Sequence, residues 1–307
     1  MPKLAYIILA HSDAPHFERL IRRLNDPRVA FFVHIDAKAD LAPFQKAASG
    51  FPNVVFVNDR VRVMWAAFSQ VESTLRAFRT ALAHTDGSCS HFVVLSGADY
   101  PIATNDEILE RFAAHPRHEF IRRFDLLSCG DHRQRQRVLG WHFRELADRF
   151  TWQRKPLFVF ETLLRFLPKR VPKNLVFASG SNWIALTRDC AKYCVDYSER
   201  HPELAKLMRT SFATDEIYFH TIVHNSKFAE QAGPLEPYLD VTELGGPWKY
   251  GNVHFLNPIK TIEGAQEAET ILRDYPTMLF ARKFSSTLSR DALARIDDHL
   301  DGRSAAR

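Results

Sequence analysis

Leu4-Ala-Tyr-Ile-Ile-Leu-Ala10, Ala30-Phe-Phe-Val-His-Ile35 and His91-Phe-Val-Val-Leu95 are three apolar runs of strand length. Helical spacing lies between them. Phe17–Leu24 and Ala42–Ala48 suit helices, Val54–Val57 a short strand. Val71, Leu75, Phe78 and Leu82 recur at steps of three or four, which predicts a helix over Ser69–His84. A further helix follows at Asp106–Ala114. Strands that alternate with helices, and show no apolar–polar alternation, imply βαβ units and a mainly parallel sheet buried on both faces. The fold class is therefore α/β.

Outward from this half, the pattern changes. Arg122–Lys173 is rich in Arg (Arg133, Arg135, Arg137, Arg144) and carries Trp141 and Trp152. It reads as an insertion or second lobe, helical around Pro156–Phe166. Its basic run suits a solvated face, or else a contact to phosphate or an acidic acceptor. Gly180–Leu186 returns to strand character, and Arg188–Ser198 and Thr214–Val223 suit helices. Glu243–Asn257, with Gly245, Gly246, Pro247 and Gly251, reads as a loop. Helices near Ala265–Arg273 and Ser289–Leu300 close the chain. No repeat or flexible linker divides it, which favours a single compact unit.

The chain has 307 residues, 46% of them hydrophobic and only 25% charged, which excludes a disordered or collagen-like protein. Its net charge of +5 is mild. It suits an anionic ligand such as a nucleotide, or a weak attraction to a membrane surface, and does not call for nucleic acid. The first apolar run is too short for a secretory or membrane-spanning segment. Cys89, Cys129, Cys190 and Cys194 form no Cys-x-x-Cys pair and read as packing thiols in a reducing compartment. A cytoplasmic location is expected.

Several chemistries are excluded by what is missing. There is no Gly-x-Gly turn, no Gly-Lys-Ser/Thr loop and no Gly-x-Ser-x-Gly elbow. There is also no Asp-x-Asp to hold a divalent cation against a diphosphate. Four segments carry signal instead. Asp36, in His34-Ile-Asp-Ala-Lys38, ends a strand and can accept bonds from uracil or ribose, or simply close an Asx turn. In Leu95-Ser-Gly-Ala-Asp-Tyr-Pro-Ile102, Gly97 permits close approach to a ligand and Asp99 is expected at a loop tip; an ordinary strand-to-helix turn is the competing reading. In Thr214-Asp-Glu216, Thr214 suits a helix N-cap and the two acids the first turn of that helix. Arg282-Lys283, flanked by Phe280 and Phe284, either faces an anion or snorkels to solvent.

Together these segments resemble glycosyltransferase family 14, the branching β-1,6-N-acetylglucosaminyltransferases and peptide O-xylosyltransferases. The matches run in order through Ala5–His11, His34–Lys38, Trp65–Val71, Leu95–Ile102, Gly180–Leu186, Asp215-Glu216 and Phe280–Phe284. Tyr218–Ser226 and Pro276–Phe284 look nearer to the xylosyltransferase branch. Residues 125–175 match nothing.

The resemblance implies a GT-A fold with a Rossmann-like nucleotide-binding half (1–120) and an acceptor and catalytic half (121–307). It implies inverting, metal-independent transfer of xylose or N-acetylglucosamine from a UDP-sugar to a hydroxyl of a glycan or surface-polysaccharide precursor, with no cofactor. Glu216 aligns with the family's catalytic base. Arg282 and Lys283 align with the cations that hold its diphosphate, and Lys260 falls where a further cation is expected. His11, Asp36, Gly97 and Asp99 are expected on the donor side. Trp183, Trp248 and Tyr250 are expected toward the acceptor, the last two by their place in the loop. No membrane anchor, stem or disulfide set is evident, so a bacterial catalytic domain is expected, cytoplasmic or peripheral at the inner membrane. A binding module with a degenerate transferase fold is the alternative. It predicts loss of the base or the cations, and these are present.

Overall fold

A computed structural model describes residues 3–147, 151–164, 166–167, 169–239, 248–256 and 260–305. The chain begins with β1 (Leu4–Ala10), α1 (Ala14–Leu24), β2 (Val29–Ile35), α2 (Ala42–Ala48), β3 (Val54–Phe56), α3 (Phe68–His84) and β4 (His91–Ser96). β5 (Asp99–Pro101) and α4 (Asn105–Ala114) follow. Thr104 caps α4 through a reciprocal pair of bonds with Glu107, which starts the helix one residue before the apolar pattern does. The middle holds β6 (Arg123–Asp125), α5 (His132–Leu139), α6 (Arg154–Leu164), β7 (Ala178–Gly180) and β8 (Ala185–Thr187). Then come α7 (Arg188–Arg200), α8 (Pro202–Met208), a 3₁₀ turn (Thr214–Glu216) and α9 (Tyr218–His224). β9 (His254–Leu256), α10 (Ala265–Asp274), β10 (Phe280–Arg282) and α11 (Arg290–Ala305) end it.

The central sheet has the order β3-β2-β1-β4-β8. β1 pairs in parallel with both β2 and β4, β2 with β3, and only β8 runs antiparallel. Successive residues of β1 point to opposite faces, and both faces are dry. Leu4, Tyr6, Ile8 and Ala10 join an apolar cluster with α1, α2 and α11. Ala5 and Ile7 join a second one with α3, α7 and α9. A strand buried on both sides must be apolar throughout, which is why Leu4–Ala10 shows no alternation. The expected α/β architecture with a mainly parallel sheet flanked by helices is the one observed.

Four expectations fail for local reasons. Gly180–Leu186 is not one strand: β7 pairs with β6 and β8 with β4, and the chain turns between them. Thr214–Val223 is not one helix, and Thr214 is not its cap. The 3₁₀ turn stops at Ile217, and the capping position belongs to Ala213, in the left-handed region at φ 48°. The span read as a loop over Glu243–Asn257 contains β9; its residues 243–247 and 257 lie outside the described residues. The basic run is not uniformly solvated. Arg133 and Arg135 are exposed, but Arg137 is buried, and so is the earlier Arg123, whose guanidinium donates to the Ala229, Ala232 and Gly233 carbonyls.

Candidate active site

The carboxyl ends of β1, β2 and β4 open into a cavity of about 420 Å³. Parallel sheets place ligands there because neighbouring connections leave in opposite directions and a crevice forms between them. His11 follows β1, exposed at the cavity wall, and Asp36 follows β2, largely buried beside it. Asp36 closes the Asx turn and also lines the cavity. Its Oδ1 accepts from the Lys38 and Val63 amides (2.9 and 3.2 Å), while Oδ2 stands 3.7 Å from the Lys38 ammonium. Next to it His34 is buried, its pKa lowered to about 4 by burial, and its Nε2 accepts from the Val61 amide at 2.9 Å. It is a neutral structural acceptor, not an acid.

The opposite wall is built around Glu216. Ala213 and Ala66 both hold left-handed backbone, at φ 48° and 59°, and the Ala213 amide donates to the Ala66 carbonyl at 2.9 Å. Each such alanine costs about 1 kcal/mol. The strain folds the Thr214–Glu216 turn back onto the cavity, so that Asp215 and Glu216 both line it. Arg137 reaches in from α5. Its Nη2 donates to Glu216 Oε2 (2.8 Å) and to the Ala213 carbonyl (3.0 Å), and its Nη1 to Gln134 and Ser179. One guanidinium thus fixes both the carboxylate and the strained turn that presents it. Burial raises the Glu216 pKa and Arg137 opposes the rise. Burial, with the Glu216 charge beside it, pushes Asp215 up to about 7. Asp215 Oδ1 is buried with no hydrogen-bond partner.

A second acid–cation pair sits under the third wall. Asp99 is not at a loop tip: it opens β5, fully buried, and pairs in register with Arg282 of β10. Its carboxylate accepts from the Ser96 amide and hydroxyl (both 2.7 Å) and from the Trp183 indole (2.8 Å). Arg282 Nε lies 3.2 Å from Oδ1, a charge contact without hydrogen-bond alignment. The guanidinium also stacks on the Trp183 ring, 3.7 Å from its centroid. Burial raises the Asp99 pKa, with Arg282 and the other donors opposing. Burial lowers that of Arg282, opposed by Asp99. His254, packed behind the pair, is held neutral by burial and by the Arg282 charge.

The remaining site residues divide. Trp183 and Trp248 line the cavity, and so do Arg282 and Lys283. Lys283 is exposed; partial burial, then the Arg282 charge, lower its pKa. Tyr250 is a core residue: its side chain is buried against Phe124 and its hydroxyl donates to the Pro237 carbonyl at 2.7 Å. Lys260 is exposed and does not line the cavity. Gly97 does not line the cavity but packs against β1. A Cβ there would stand 2.7 Å from the Ala10 Cβ, so the glycine lets β4 run close to β1. The sequence reading did not assign a site role to Arg137, to Asp215 as a cavity acid, or to Trp65, a cavity-lining residue that is 48% exposed. Trp65 stands in a family-matched segment and Arg137 in the basic run, neither with a role assigned, and the Asp215-Glu216 dipeptide gave a role only to its second residue.

A doubly covered α/β sheet with a cavity at the carboxyl ends of its parallel strands is the arrangement in which open α/β sheets bind ligands. The chain belongs to the Core-2/I-Branching enzyme family, whose model matches residues 4–232. It is 27% identical over 317 aligned residues to human xylosyltransferase 2, covering 98% of this chain and 34% of that protein. Against rat xylosyltransferase 1 the identity is 23% over 324 residues, with 98% and 36% covered. The chain thus spans about a third of the length of these curated relatives. Among solved structures, mouse xyloside xylosyltransferase 1 in its apo form aligns with 77% of this chain and 85% of its own, at 11% identity and a TM-score of 0.37.

Proposed function

We propose that this protein is an inverting glycosyltransferase of the GT-A type, which moves xylose or N-acetylglucosamine from a UDP-sugar to a hydroxyl of a glycan acceptor without a metal ion. The observation that carries the proposal is that Glu216, fixed by Arg137, faces the same cavity as Arg282 and Lys283. Glu216 takes the acceptor proton as the acceptor oxygen attacks the anomeric carbon opposite the diphosphate, so an α-linked donor gives a β-linked product. Its second oxygen is the one available, because Oε2 is held by Arg137.

Charge on the departing UDP is met chiefly by Lys283. Arg282 is already half committed to Asp99, so it supplies a fixed, partly neutralised positive surface. The missing Asp-x-Asp supports a cation-based rather than metal-based device. Trp65 and Trp248 offer the aromatic faces on which a sugar acceptor can stack. Free thiols at all four cysteines, three of them buried, support a reducing compartment. A UDP-release screen over UDP-sugars, run with EDTA, tests the reading. Release from UDP-xylose or UDP-N-acetylglucosamine is expected, and release from neither contradicts it.

A further inference from the structure

α6 is an amphipathic helix turned the wrong way round for a water-facing surface. Its 11 residues direct Arg154 inward, where it forms an ion pair with Glu161, also largely buried. Glu161 Oε1 in turn accepts from the Phe143 amide at 2.6 Å. This charged pair therefore faces the protein, while Lys155 and Thr162 stay exposed. The apolar side chains face out: Trp152, Phe158, Val159, Phe160, Leu163 and Leu167 are each between 50% and 74% exposed. Outside residues 146–167, only Trp65 and Leu288 among the described residues are large, apolar and exposed. A soluble helix shows the opposite arrangement, and a patch of this kind marks an interaction surface.

Charge identifies what covers it. Residues 151–173 hold six Lys and Arg against one Glu, a net +5, which equals the net charge of the whole chain. The rest of the molecule is balanced. Glu161 is already neutralised by Arg154, so among the described residues of this segment the exposed charges, Lys155, Arg170 and Lys173, are all positive. Two copies meeting through this face would bring like charges together. An anionic bilayer offers an apolar interior for the aromatic and aliphatic side chains and phosphate for the cations. At 11 residues α6 is too short to cross a bilayer core of about 30 Å, so it would lie in the interface plane.

We propose that α6 and its flanks, residues 151–173, dock the protein on the surface of an anionic membrane. The proposal does not depend on the sugar-transfer reading. The full-length chain is mixed with phosphatidylcholine vesicles with and without phosphatidylglycerol, at about 0.1 M salt where the Debye length is about 10 Å. It should sediment with the anionic vesicles, less with neutral ones, and be released by high salt. The double variant Phe158→Glu/Leu163→Glu should lose more than about tenfold in partitioning. Lys155→Ala/Arg170→Ala/Lys173→Ala should lose about fivefold per cation removed. Melting temperature and UDP binding should stay at wild-type values in both variants, since none of these residues lines the cavity. No sedimentation of the wild type with anionic vesicles overturns the proposal, and so does undiminished binding by either variant. A concentration-dependent dimer in gel filtration that Phe158→Glu/Leu163→Glu abolishes also overturns it, because the face would then be a self-interface.

Discussion

The cavity is flanked by two carboxylate–guanidinium pairs that look alike on paper and differ in what they can do. Asp99–Arg282 is sealed: the acid has no exposed surface, a backbone amide, a hydroxyl and an indole donate to it, and the arginine lies flat on Trp183. Glu216–Arg137 is sealed on one side only. The Glu216 side chain keeps 28% of its surface open, and one oxygen is free of Arg137. A fully satisfied carboxylate cannot accept another proton partner and serves architecture; a half-satisfied one at a cavity wall can serve as a base. The difference is set by backbone. Asp99 is placed by strand register, Glu216 by a strained turn.

The contrast can be broken most sharply at Glu216. Glu216→Gln keeps the bond from Arg137 and removes the base, so sugar transfer should fall by about 10²–10⁴-fold with UDP affinity unchanged. Steady-state rates beside calorimetric UDP titration check this, and a near wild-type rate would return Glu216 to the structural class.

At the sealed pair the loss should fall on stability instead. Asp99→Ala leaves Arg282 buried without its counter-charge, which costs about 3–5 kcal/mol when one partner of a buried pair is removed. Urea unfolding measures it; a variant as stable as wild type would mean that Arg282 does not need Asp99. For the same reason Arg282 is a poor probe of diphosphate binding, and Lys283 a clean one. Lys283→Ala should weaken UDP by about tenfold or more, the worth of one charge-assisted hydrogen bond, and leave uridine binding unchanged. Equal loss for both ligands would place Lys283 outside the diphosphate site.

The smallest effect concerns pH. The folded-state pKa of Asp215 is raised, to about 7, so the folded chain holds a proton that the unfolded chain releases at lower pH. Its contribution to stability is full below the ordinary carboxylate range and is lost as pH rises toward 7. Thermal melts should therefore show wild type losing stability between pH 4 and 7 relative to Asp215→Asn, by a few degrees, with the variant's slope flatter. Parallel slopes would mean that Asp215 is not a buried acid.

Legibility followed physical range. β1 and β4 were readable because burial on both faces forces an unbroken apolar run, and α3 because its buried face recurs at the helical step. Glu216, Arg282 and Lys283 were legible as motif residues, and the fold brings them to one cavity. Arg137 was not legible. It lies in a run with Arg133 and Arg135 that reads as a solvated face or as a contact to phosphate or an acidic acceptor, and only the fold carries it across 79 positions to Glu216. Tyr250 failed the other way: a loop position suggested ligand contact, while its burial against Phe124 depends on a strand far back in the chain. Gly97 showed that a close approach was needed without saying that Ala10 was the partner. The inverted face of α6 was partly visible as a run of Phe and Leu beside Lys and Arg, but which side faced outward required the structure.

The central claim is that Glu216 drives a metal-free displacement with inversion. It is tested most directly by proton NMR of the sugar first released when the wild-type protein turns over a UDP-α-sugar in EDTA with water as acceptor. The account predicts turnover under chelation, with the β-anomer appearing before mutarotation mixes the two. An α-anomer formed first, or turnover that begins only when a divalent cation is restored, would contradict it.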